Sequence, residues 1–141
     1  MNYSLIKALD TNFKYDDYML SQAVERVRSC GVRLERTPRD ELERRGFRVE
    51  FASLSVAGQV IWGRVDLIAK IVYVDLEAVN VLIERSNEQG GESLDLTVAV
   101  NLVLAHELYH VIDRCTHYDS VTELAAIVFA LQYSKGCPEL A

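Results

Sequence analysis

Residues 106–110 read His106-Glu107-Leu108-Tyr109-His110 and interrupt a long apolar stretch that begins near Leu96. Val98, Ala99, Val100, Leu102, Val103 and Leu104 make that stretch apolar nearly all round, the pattern of a buried helix. On a helix, positions i and i+4 stand one turn apart on one face, so His106 and His110 can aim imidazole nitrogens at one ion. Glu107 sits about 100° around the helix from His106 and reaches a water held beside that ion. Such a segment constrains the whole chain. A core must wrap a central helix, leave one turn of it open to a ligand, and deliver a further donor from elsewhere. The plain alternative is a polar stripe of ordinary helix histidines. Two imidazoles and an acid in one apolar turn need partners to offset their desolvation, and a metal ion supplies one.

The chain has 141 residues, half of them hydrophobic, enough for one domain with a real core. No repeat, linker or low-complexity tract divides it, so residues 1–141 read as one domain, with residues 1–14 a loosely held N-terminal segment. No apolar run is long enough for a membrane span, and the start Met1-Asn2-Tyr3-Ser4-Leu5-Ile6-Lys7 lacks the apolar core of a signal peptide. The expected setting is the cytoplasm. Cys30, Cys115 and Cys137 are odd in number and widely spaced, which reads as reduced thiols and not as a disulfide framework. A net charge of −6 disfavours direct nucleic-acid binding, which runs on Lys and Arg against phosphate. The basic cluster Arg33 to Arg45 is laced with Glu35, Asp40, Glu41 and Glu43 and reads as a solvated face.

Tyr15, Met19, Ala23, Val24 and Val27 recur at helical spacing from about Tyr15 to Cys30, and Gly31 stops that helix. A short helix follows, with Thr37 as N-cap, Pro38 at its first position and Gly46 just past its end. The period then changes to two. Phe47, Val49 and Phe51 alternate with Arg48 and Glu50 as a half-buried strand, and a turn near Ala57-Gly58 leads to a second strand over Gln59–Arg64. Ile68–Val74, rich in β-branched residues, is the third. Asp75 caps a helix to about Glu88, apolar at Leu76, Val79 and Ile83 and closed by Gly90-Gly91. The motif helix runs roughly Leu96–Arg114 and a last helix Ser120–Tyr133. The expected fold class is α+β: a small, mostly antiparallel three-stranded sheet packed on helices, with the His-Glu helix buried at the centre.

A catalytic zinc ion commonly takes three protein ligands and leaves a position for water. Glu123, opening the next helix, is the first choice for the third ligand and His117 the second. In the H-E-x-x-H-x-x-G-x-x-H pattern the third histidine comes one residue earlier than His117, and Asp113 stands where that pattern has glycine. Glu123 also fits a capping box with Ser120, in which its carboxylate would reach back to the cap's backbone N–H. Asp113 shares the face of the two histidines and can orient an imidazole by accepting a hydrogen bond, or be a solvated helix end. His117 and Tyr118 are candidate donors to a transition-state oxyanion, or an exposed loop pair. Cys115 reads as a structural thiol. An edge strand beside the motif helix can pair with an extended peptide.

Leu104-Ala105-His106-Glu107-Leu108-Tyr109-His110, followed by Glu123-x-x-Ala126-x-x-Phe129-Ala130, resembles the ImmA/IrrE family of metallopeptidases, over about residues 15–135. Members of that family look like L-A-H-E-L-G-H, then E-x-x-A-N-x-F-A on the next helix. The resemblance implies a minimal zincin-like, gluzincin-like domain with Zn2+ on His106, His110 and Glu123, and Glu107 as catalytic base. It also implies a peptide or protein substrate, such as a helix-turn-helix transcriptional regulator. This chain carries no evident helix-turn-helix, so that regulator would be a separate protein. Tyr109 replaces the usual glycine, Ile127 replaces asparagine, and the segment between His110 and Glu123 is shorter.

The expected activity is peptide-bond hydrolysis by a zinc-bound water that Glu107 activates. A non-cleaving zinc-binding module that docks on a regulator is the alternative, and a structural domain without metal is a third reading.

Overall fold

Four of the helices in the computed structural model, which describes residues 15–32, 35–56, 60–88, 94–113 and 120–133, begin where a side chain satisfies orphan amides. Asp16, in extended backbone, accepts from Met19 N at 2.8 Å and starts α1, Asp17–Ser29. Leu20, Ala23 and Val27 form its buried face, and Gly31 follows its end at φ +65°. Thr37 accepts from Asp40 N at 3.2 Å, Pro38 takes the first position of α2 (Pro38–Arg44), and Gly46 turns the chain at φ +87°. The N-terminus expected at residues 1–14 and the Ala57-Gly58 turn lie outside the described residues, as does the Gly90-Gly91 stop.

Three short strands follow: β1 (Arg48–Phe51), β2 (Gly63–Asp66) and β3 (Ile71–Val74). They form a sheet in the order β1-β3-β2. β2 pairs antiparallel with β3, Gly63 opposite Val74, but β1 pairs parallel with it, Arg48 opposite Ile71. The sheet is therefore mixed, where a mostly antiparallel one was expected. The reason is which strand takes the middle. Asp66 Oδ1 accepts from Ile68 N at 3.0 Å and Ala69 N at 2.9 Å, closing a tight turn that forces β2 and β3 antiparallel. β1 takes the other side of β3 and runs the same way as it. The same turn moves the strand ends. β2 begins at Gly63 and not Gln59, and Ile68 lies in the turn, 96% exposed.

Asp75 caps α3 (Leu76–Glu88), and Asp95 accepts from Val98 N at 2.8 Å to start α4 (Leu96–Ile112). α4 is the central element, touching α2, α3, β2, β3 and the last helix, α5 (Ser120–Tyr133). α5 is buried continuously from Leu124 to Ala130 and lies between α4 and α1. A helix apolar on every side belongs inside a core, and each fully buried aliphatic side chain stabilises by about 1.5–3 kcal/mol. Among the described residues no helix is long and apolar enough to cross a membrane.

Candidate metal centre

His106 and His110 leave α4 one turn apart, with side chains 16% and 8% exposed. Their rings meet edge to face, centroids 5.0 Å apart, and the two Nε2 atoms are separated by 3.3 Å. Glu123, in the first turn of α5, places Oε1 2.7 Å from His106 Nε2 and Oε2 3.3 Å from His110 Nε2. The ligand atoms of the three residues all lie within 4.8 Å of one another. Bonds of about 2.0–2.2 Å at tetrahedral angles separate ligand atoms by roughly 3.3 Å. The two 3.3 Å separations match that spacing, and the 2.7 Å contact is a hydrogen bond that would open by about half an ångström around a cation. Two imidazoles and a carboxylate are a borderline donor set of the kind zinc accepts.

Two neighbouring packing features hold the donors. Tyr109, 1% exposed, tilts against Phe129 of α5 with centroids 5.5 Å apart and meets the His110 ring edge-on at 6.4 Å. Ala126 and Ala130, one turn apart and fully buried, let α5 approach closely. Together these give a physical reason for the Glu123-x-x-Ala126-x-x-Phe129-Ala130 spacing.

The electrostatics follow from burying four titratable groups together. Burial would raise the Glu123 carboxyl, but hydrogen bonds from His106 and His110 outweigh it and hold the carboxyl well below the usual range. Burial would lower His106, but its hydrogen bond to Glu123, with the charges of Glu123 and Glu107, raises it. Without a cation, His106 and Glu123 behave as a proton-bound pair, which a metal would displace. Glu107, 7% exposed, is pushed up by burial, against the pull of the two histidines. A buried acid that holds its proton more tightly than usual beside a donor triad suits a role in proton transfer.

The structure brings together His106, Glu107, His110 and Glu123. Both Glu123 oxygens lie on imidazole nitrogens; the Ser120 side chain of the capping-box reading lies outside the described ones. Asp113 is engaged with the Tyr109 hydroxyl, and with burial it pushes that phenol above its ordinary range. His117, Tyr118 and Cys115 lie outside the described residues.

Sequence reasoning missed Gly63. A Cβ there would stand 2.7 Å from Val103 Cγ1, 3.2 Å from Glu107 Cγ and 3.2 Å from Tyr73 O. β2 therefore lies directly on the turn of α4 that carries Glu107. A lone glycine inside a strand is a signal for such an approach, but the strand limits inferred from sequence placed Gly63 near a strand end. No known protein family, curated protein or solved structure matches the chain, so its assignment rests on this donor set and its packing.

Proposed function

We propose that the chain is a zinc-dependent metallopeptidase of the ImmA/IrrE type, with His106, His110 and Glu123 as ligands and Glu107 as general base. The observation that carries this reading is the 3.3 Å separation of two Nε2 atoms, with one carboxylate oxygen directed to each. Zinc bound there would polarise a scissile carbonyl and acidify a water. Glu107 takes the water's proton on its carboxylate and passes it to the leaving amine nitrogen, and its upward-shifted pKa suits both transfers.

The sheet supports an extended peptide as substrate. Asp75 N donates to Trp62 O at 2.9 Å, which makes Trp62 and Asp75 a hydrogen-bonded antiparallel pair. By alternation Gly63 and Val65 fall in the intervening pairs, so their N–H and C=O groups turn away from β3. Among the described residues no strand occupies that side of β2. A peptide added there would run past Gly63, next to Glu107. A separate regulatory protein of the helix-turn-helix kind is the substrate we favour, on the resemblance of the two motif segments. The proposed setting is the cytoplasm, which suits the wide cysteine spacing and the free Cys30 thiol.

Zinc analysis after reconstitution tests the centre: about one equivalent is expected, and less than about a tenth would sink the reading. Glu107→Gln should keep the metal and stop cleavage of a candidate helix-turn-helix regulator. Unchanged biological effect in that variant would favour a zinc-binding module that docks without cutting.

A further inference from the structure

We propose that Arg26 of α1 is a positioning residue for the third donor, clamping the first turn of α5 through Thr122 so that the Glu123 carboxylate meets both imidazoles. The proposal rests on the reading of His106, His110 and Glu123 as metal ligands. Arg26 Nη1 donates to Thr122 Oγ1 at 2.9 Å, across 96 positions of sequence. Thr122 is 3% exposed and immediately precedes Glu123.

The need for a clamp is physical. Glu123 is the fourth residue of α5, and the opening turn of a helix has amides without intrahelical partners and frays. A ligand placed there is only as well aimed as that turn is fixed. α1 is a rigid support for it: Ala23 and Val27, flanking Arg26 on the same helix, are fully buried, and α1 packs extensively on α5. Arg26 thus holds the first turn of α5, whose position against α4 sets the distances of 2.7 and 3.3 Å from Glu123 to the histidines. Groups that orient metal ligands in this way typically change metal affinity about 10–100-fold when removed.

The test uses the full chain loaded with Co2+, whose visible absorption reports the ligand set, and Zn2+ competition for affinity. Thr122→Val, which removes the hydroxyl at constant size, and Arg26→Met, which keeps the stem, should each weaken Zn2+ binding about tenfold or more and alter the cobalt spectrum. Thr122→Ser should restore both. Wild-type affinity and spectrum in folded Thr122→Val would overturn the clamp while leaving the metal centre standing. So would a Thr122→Ser variant as impaired as Thr122→Val, which would show packing at work. Failure of the wild-type chain to bind Co2+ or Zn2+ at all would overturn the metal centre, and the clamp with it.

Discussion

Asp75 and Glu107 are both buried carboxylates, 4% and 7% exposed, yet their surroundings push them in opposite directions. Asp75 is held by main chain. Its Oδ1 accepts from Glu77 N at 3.0 Å and Ala78 N at 3.2 Å, and its Oδ2 from Leu54 N at 2.9 Å and the Ser55 hydroxyl. Burial alone would raise its pKa, but these donors outweigh burial and lower it. Glu107 lies against Val103 and the Gly63 backbone position instead, where burial dominates and its pKa rises. The difference separates structure from chemistry. A carboxylate saturated by fixed amides is committed to its charged form and ties β1's following loop to α3. One kept short of such donors stays able to exchange a proton.

The largest effect expected from breaking this contrast is catalytic. Glu107→Gln preserves shape and removes the base, so cleavage should fall about 10²–10⁴-fold, the usual share of general base catalysis. Thermal stability should be unchanged or higher, because a desolvated acid has been removed. The two are read together by single-turnover cleavage and a melting curve, and a retained rate would remove Glu107 from its role. At Asp75 the outcome should invert. Asp75→Ala strips a helix cap and leaves Leu54 N without its acceptor, for a loss of about 2–4 kcal/mol in denaturant unfolding. A loss under half a kcal/mol would mean the bracket is not a stability element.

A smaller effect is expected where the two environments nearly meet. Gly63→Ala drives a methyl toward Val103 Cγ1 and Glu107 Cγ, and the overpacking should cost about 1–3 kcal/mol. Zinc binding should survive, since no ligand is touched, while peptide cleavage drops as β2 lifts from the base. Adding Val103→Ala should recover part of the stability by making room. Full stability in Gly63→Ala alone would show that β2 lies less closely on α4 than these distances require.

What the sequence made legible here was local. Helix ends at Thr37, Pro38 and Asp75 depend on side chains within three residues of the amides they bind, so their identities suffice. The His106–His110 face follows from helix geometry alone. The order of the strands did not follow. Alternation in Phe47–Phe51 marks a strand without saying which neighbour it pairs with, and β3 took the centre through the tight turn at Asp66. Glu123 was reachable because spacing limits where the next helix can bring a carboxylate. Gly63 beside Glu107 and Arg26 on Thr122 are contacts across tens of residues: a lone strand glycine signals a close approach without naming its partner, and nothing local marks Arg26.

The smallest effect is a pH dependence of opposite sign at the two acids, measured on metal-free protein. Asp75 has a folded pKa below its ordinary value of 3.8, so its stabilisation is complete above that value and is lost as pH falls through the depressed folded pKa. Glu107 has a folded pKa above its ordinary 4.5, so the unfolded chain ionises first. Its contribution is fully present below 4.5 and is lost as pH rises through the raised folded value. Relative to wild type, Asp75→Asn should therefore lose least stability in the most acidic samples and more as pH climbs toward 3.8, then level off. Glu107→Gln should match wild type in acid and gain on it steadily above 4.5. Urea midpoints from about pH 3 to pH 8 distinguish the two slopes. Parallel curves for Glu107→Gln and wild type would mean that the buried acid ionises as freely folded as unfolded, and the contrast between the two carboxylates would be gone.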